Sequence, residues 1–295
     1  MGLIDTYNRW KQIVLNTKLN RKRVLNLEKN LQNNLAREYP SLENESISFK
    51  SKIQKQEAKI FSQNGEDGIL MYLLSIVGVE SYSMLEIGIG DGSECNSRNF
   101  IENFGWNAWL IDGNKVNLEK AAHYYKQIKS TKVTTHHSWV TKDNIGKTIE
   151  NLDVPIHLDV LSIDIDGNDY WVWKAIKTID PRIVIIEYNA SFGKTKSVTV
   201  PYEKNFNRYK KHKSGYYHGA SLLALKKLGE EKSYSFVCCD SSGVNAFFLK
   251  KSLAENVGIK NQEVANVFTP QEKRCLIMSL DEQLNLINHL ELIEI

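Results

Sequence analysis

Three aspartates, Asp164, Asp166 and Asp169, fall in the stretch "LSIDIDGNDYWVW", directly after an apolar run. A carboxylate at the end of a buried strand is costly unless a proton, a cation or hydrogen-bond donors compensate it. So placed, it can take a proton from a reacting hydroxyl or hold a hard divalent cation. Side chains alternate along an extended strand, so Asp164 and Asp166 share one face. In "PRIVIIEYN", Glu187 and Asn189 have the same parity at the end of another apolar run. If the two runs pair, they lie about 4.8 Å apart. Asp166, Glu187 and Asn189 are then a candidate oxygen-ligand set for Mg²⁺ or Mn²⁺, with Asp164 and Asp166 as the candidate catalytic acids. Whether these groups hold an ion or orient a hydroxyl directly stays open. Asp169 reads differently: Gly167 and Asn168 turn the chain, and Asp169 caps a helix whose Val172, Ile176 and Ile179 face the sheet.

A second cluster lies upstream. The loop "MLEIGIGDGSE" places Glu86, Gly88, Gly90 and Gly92 at the end of an apolar run. Glycines let the backbone turn sharply and approach a nucleotide-like ligand with no Cβ in the way, although they also serve any tight strand-to-helix turn. A dinucleotide fingerprint would require glycine where the chain has Ser93, so nicotinamide and flavin binding fit poorly. Asp112, in "WLIDGN", ends the next run.

Among seven histidines, His218 in "SGYYHGAS" is the candidate general base, because its glycine-flanked loop could reach an acceptor. A surface or helix-capping histidine is the alternative. The segment "YEKNFNRYKKHKSGYY" interleaves cations with aromatics, a pattern that grips phosphates and stacks on a base or sugar. An RNA-binding patch or a solvated loop would look similar.

The elements that must position these residues come as an alternation. Strand candidates at 83–89, 107–111, 132–136, 158–165 and 182–188 are separated by enough chain for crossover helices, which predicts a parallel, doubly wound α/β sheet. "YSFVCCD" and "NAFFLKK", separated by "SSGV", predict an antiparallel hairpin that brings the sheet to seven strands. Residues 1–55 read as an N-terminal helical extension, with Val24, Leu27, Leu31 and Leu35 at helical spacing, and residues 56–295 as the main domain. That stripe either makes a homo-oligomer contact or lies on the main domain.

Composition narrows the function classes. With 42% hydrophobic and 25% charged residues the chain reads as an ordinary soluble protein. A net charge of +3 makes no global case for nucleic acid, although the first sixty residues hold 12 Lys and Arg against 6 Asp and Glu. Four cysteines without a metal or disulfide spacing fit a reducing cytoplasm, and no apolar run is long enough to span a membrane.

Five parallel strands and a terminal hairpin are the sheet plan of class I methyltransferases. The glycine loop resembles the E/D-x-G-x-G-x-G loop of those S-adenosylmethionine (SAM)-dependent enzymes. The blocks "FSQNGEDGIL", "LSIDIDGNDYWVWKAI" and "PRIVIIEYN" further resemble the FkbM-type branch, over roughly residues 60 to 250. Asp166 stands where that branch often has Glu, and Asn168 where a small or aromatic residue is frequent. The resemblance implies O-methylation of a sugar or natural-product hydroxyl. It also implies that Glu86, Gly88, Gly90 and Gly92 pass beneath the methionine part and that Asp112 accepts from both ribose hydroxyls. Gln63 would then close over the methionine end, and Ser138 or Trp139 would lie beside the adenine. An RNA-modifying methyltransferase and a non-catalytic scaffold built on the same fold are the competing readings.

Overall fold

The computed structural model describes residues 53–128 and 131–295, so the helical extension expected over 1–55 lies almost wholly outside the described residues. The strands run β1 (Ser83–Ile87), β2 (Asn107–Asp112), β3 (Val133–His137), β4 (Val160–Ile163), β5 (Ile183–Glu187), β6 (Val198–Thr199), β7 (Tyr234–Cys239), β8 (Asn245–Lys250) and β9 (Ile293–Glu294). Seven of them form one sheet in the order β3-β2-β1-β4-β5-β8-β7. The strands β1 to β5 are parallel, and β8 enters between β5 and β7, antiparallel to both. This is the seven-stranded, mostly parallel plan of the class I methyltransferase fold.

Both sheet faces are covered, which is why the central strands read as unbroken apolar runs. Alternate residues serve opposite cores: Leu85, Ile163 and Val184 pack on one side with Trp173 and Leu225. Met84, Val160 and Ile185 pack on the other with Ile69 and Phe100. Burying each such side chain stabilises the fold by about 1.5–3 kcal/mol relative to exposure. The edge strand β3 is half-buried and accordingly polar, "VTTHH".

Strand order reverses between β1 and its neighbours β2 and β4, and in open α/β sheets that switch point opens a crevice at the carboxyl ends. The register pairs Ile87 with Ile163 and Ile163 with Ile186, so one residue further on Asp164 stands level with Glu187. Residues 190–222 leave the sheet and fold over the crevice around a third small core of Phe192, Val200, Phe206, Tyr217 and Ile287.

Candidate functional site

A cleft of about 550 Å³ opens over the carboxyl ends of β1, β2 and β4. Its size falls in the range of small-molecule sites. One half is built from the glycine loop and Asp112. Glu86 is buried, and its two oxygens accept the backbone N–H groups of Asn96 and Ser97 at 2.8 Å each. It therefore folds the loop back under the cleft floor. Burial pushes its carboxyl above the usual range, against the pull of those donors.

Gly88 has a φ of +89°, and a Cβ there would lie 1.6 Å from the Asp164 carbonyl oxygen. Only glycine fits that approach. Gly90 donates its N–H to one Asp112 oxygen at 2.7 Å, and Asn114 donates to the other at 2.6 Å. Each oxygen keeps lone-pair capacity toward the cleft, so Asp112 is held rigid without being used up. Gly90, Ser138 and Trp139 all line the cleft, whereas Gly92 lies beside it, against Ala121 and Tyr125. The Trp139 ring lies against Gly113, where a Cβ would meet it at 2.7 Å, and its indole N–H donates to the Lys204 carbonyl at 2.9 Å.

Gln63 lies exposed at the cleft, and buried Glu66 lines it beside Asn245, which donates to it at 2.8 Å. Asp67 is turned away: one oxygen accepts the N–H groups of Ile60, Phe61 and Ser62 at 3.0, 2.7 and 2.8 Å. Burial raises its pKa to about 6. The "SQNGED" segment is thus shaped by its own acids.

The other half is acidic. Asp164, Asp166 and Glu187 bring one carboxylate oxygen each within 4.8 Å of one another. Asp164 is half-buried and lines the cleft, Asp166 is exposed, and Glu187 is buried behind them. The expected convergence exists, but strand parity is not its cause. β4 ends at Ile163, and Asp166 reaches the cluster through a left-handed residue, φ +58°. Burial, then Glu187 and the two nearby aspartates, push Asp164 well above the usual carboxylate range. Burial and Asp166 raise Glu187 to about 7, and its Oε2 is buried with no hydrogen-bond partner.

Three expectations change here. Asp169 is not the N-cap: it is the first residue of the helix Asp169–Ala175, and its carboxylate accepts from Ile165 and Gly167 at 2.8 and 2.9 Å, pinning the acidic loop. Asn189 is not placed as a ligand. Its Oδ1 accepts from Ser191 at 3.0 Å and Arg274 at 3.1 Å, so both lone pairs of that oxygen are already engaged. His218 does not face the cleft. It is fully buried, with Nε2 3.5 Å from Glu187 Oε1 and the same distance from Arg274, and burial with Arg208 and Arg274 depresses its pKa, which keeps it neutral.

Two arginines complete the picture. Arg208, in the cation–aromatic segment, lines the cleft, pairs with Asp166 through Nη1 and donates from Nε to the Gly215 carbonyl at 2.9 Å. The segment's composition marked it; its partner, 42 residues away, had no local signal. Arg274 comes from beyond the region of family resemblance and had none at all.

No family model matches the chain, and no curated protein matches it. Among solved structures, an SAM-dependent methyltransferase from Clostridium acetobutylicum is similar to it at 11% identity, with 74% of this chain and 98% of that chain covered and a TM-score of 0.40. An O-methyltransferase from Bacillus cereus in complex with SAH is 16% identical over 83% of this chain and 96% of that chain, TM-score 0.37. A precorrin-6y C5,15-methyltransferase from Geobacter metallireducens is 13% identical over 65% and 92%, TM-score 0.38. The likeness to each is one of outline.

Proposed function

We propose that the chain is an SAM-dependent O-methyltransferase of the FkbM type, acting in the cytoplasm on a hydroxyl of a sugar, free or nucleotide-linked, or of a related natural product. One observation carries the reading: a single cleft joins a glycine loop with a rigid, half-satisfied Asp112 to an acidic cluster at the ends of β4 and β5. When bound, SAM supplies a methyl group on a sulfonium, open to in-line attack by an oxygen nucleophile.

The chain's own residues supply the rest. Asp112 accepts the ribose hydroxyls, Gly88 and Gly90 let the backbone pass beneath the methionine portion, and Gln63 covers that end. Trp139 and Ser138 flank the adenine. A neutral hydroxyl is a weak nucleophile and needs a base. Asp164 lines the cleft, and burial with its acidic neighbours raises its affinity for a proton, which suits it to receive that one. His218, behind Glu187, holds the second carboxylate in place rather than touching the acceptor. Phe206, Arg208 and Tyr209 line the acceptor side and provide stacking faces and a cation for a sugar with an anionic group.

The cluster also fits a divalent cation. Three carboxylates converge with one ion pair, Arg208–Asp166, and one orphaned buried oxygen, Glu187 Oε2, and hard oxygen donors suit Mg²⁺ or Mn²⁺. Asp164, Asp166 and Glu187 would hold the ion, and it would lower the pKa of an acceptor hydroxyl.

Calorimetry with SAM and with SAH tests the reading, followed by a screen of sugars, nucleotide sugars, polyketide-like alcohols and RNA, with and without EDTA. Micromolar cofactor binding is expected. A folded protein that binds neither compound refutes the assignment, and methyl transfer to RNA alone replaces the acceptor.

A further inference from the structure

Arg208 stands where a cation is needed. Its Nη1 pairs with Asp166, whose carboxylate is one of the three that converge, and both residues line the cleft. The guanidinium is mostly buried while Asp166 is two-thirds exposed, so the arginine approaches the cluster from beneath and Asp166 closes over it from the solvent side. Its Nε is anchored to the Gly215 carbonyl, and it stacks 5.6 Å from the Tyr209 ring. The other groups facing the cluster add no second mobile cation: His218 is fully buried behind Glu187, and Arg274 is tied to Asn189 and Ser191 at 3.1 and 3.3 Å. Arg208 is the cation that can leave, because its hydrogen-bonded attachments are one carboxylate and one backbone carbonyl.

We infer that Arg208 is an internal counter-ion of the acidic cluster and competes with a divalent cation for Asp166. This rests on the metal-holding reading of Asp164, Asp166 and Glu187. With the ion absent, Arg208 offsets like-charge repulsion among three carboxylates. When the ion loads, Asp166 turns to it, and the guanidinium is released toward the acceptor side, where a phosphate or carboxylate of the acceptor becomes its partner. Pairing with the cluster and pairing with the acceptor are thereby exclusive uses of the Arg208 side chain, and cation loading switches it from the first to the second.

The test is Mn²⁺ binding to the EDTA-stripped full chain, followed by calorimetry and by loss of the free-ion electron paramagnetic resonance signal. Arg208→Gln, checked for folding by its thermal melt, is expected to bind Mn²⁺ about tenfold more tightly than the unaltered chain, and Arg208→Lys to fall between the two. Unchanged or weaker binding in folded Arg208→Gln overturns the inference and leaves the metal site standing. If neither protein binds Mn²⁺, the metal reading itself fails. Should Arg208→Gln not fold, the Arg208 Nε–H resonance of the unaltered chain decides. It shifts on Mg²⁺ titration if the guanidinium is released and stays still if it is not.

Discussion

The two halves of the cleft both use carboxylates, in opposite ways. On the glycine-loop side, Glu86 and Asp112 have every oxygen met by a backbone N–H. Asp159 and Asp240, which do not line the cleft, do the same for the turns at Glu80–Tyr82 and Val244–Asn245. On the acidic side, carboxylates face one another, one buried oxygen has no donor, and Arg208 pairs with only one of the three acids. Donors fixed by the backbone set the geometry of the first half before any ligand arrives. The second half is electrostatically unfinished, and only protons, a cation or an acceptor can finish it.

The contrast can be broken at several points. Asp164→Asn should lower kcat by about 10²–10⁴-fold with the acceptor identified in the screen, while SAM affinity measured by calorimetry stays within about threefold. An equal loss in SAM affinity would show that the halves are not functionally separate. Asp112→Ala should weaken SAM about 100-fold through the lost charge-assisted bonds, with unfolding by urea showing a smaller loss. Glu86→Ala should cost about 2–3 kcal/mol of stability in the same urea experiment, because two buried N–H groups lose their acceptor.

The smallest effect is one of pH. Glu187 and Asp169 titrate near 7 in the folded chain, above the value of about 4 for unfolded carboxyls. Between those values the folded state binds more protons, so their contribution to stability falls as pH rises through that window and is flat above it. His218, with its depressed pKa, contributes the reverse slope below about 6.5. Glu187→Gln should therefore narrow the stability difference between pH 6 and pH 8 by on the order of 1 kcal/mol, read from urea midpoints. A steeper dependence in the variant would mean that Glu187 is charged throughout.

Periodicity carried much of this in advance. Buried parallel strands announce themselves as apolar runs, so the sheet, its hairpin, the glycine loop and Asp112 were legible within a residue or two. The acidic cluster was legible in membership for Asp164, Asp166 and Glu187. Its geometry was not, because period-two alternation ends with the strand at Ile163 and the left-handed turn at Asp166 has no pattern of its own. Asn189 and His218 were misjudged for a related reason. Their roles depend on Arg274, a residue from a distant segment whose approach no local spacing encodes.

Gly88 joins the two halves. With its Cα against the Asp164 carbonyl, the loop that would carry the cofactor and the strand end that would carry the base have no slack between them. For anyone reshaping this protein, loop and acid must be treated as one graft: a library that varies position 88 also varies the aim of Asp164, and neither half can be transplanted without the other.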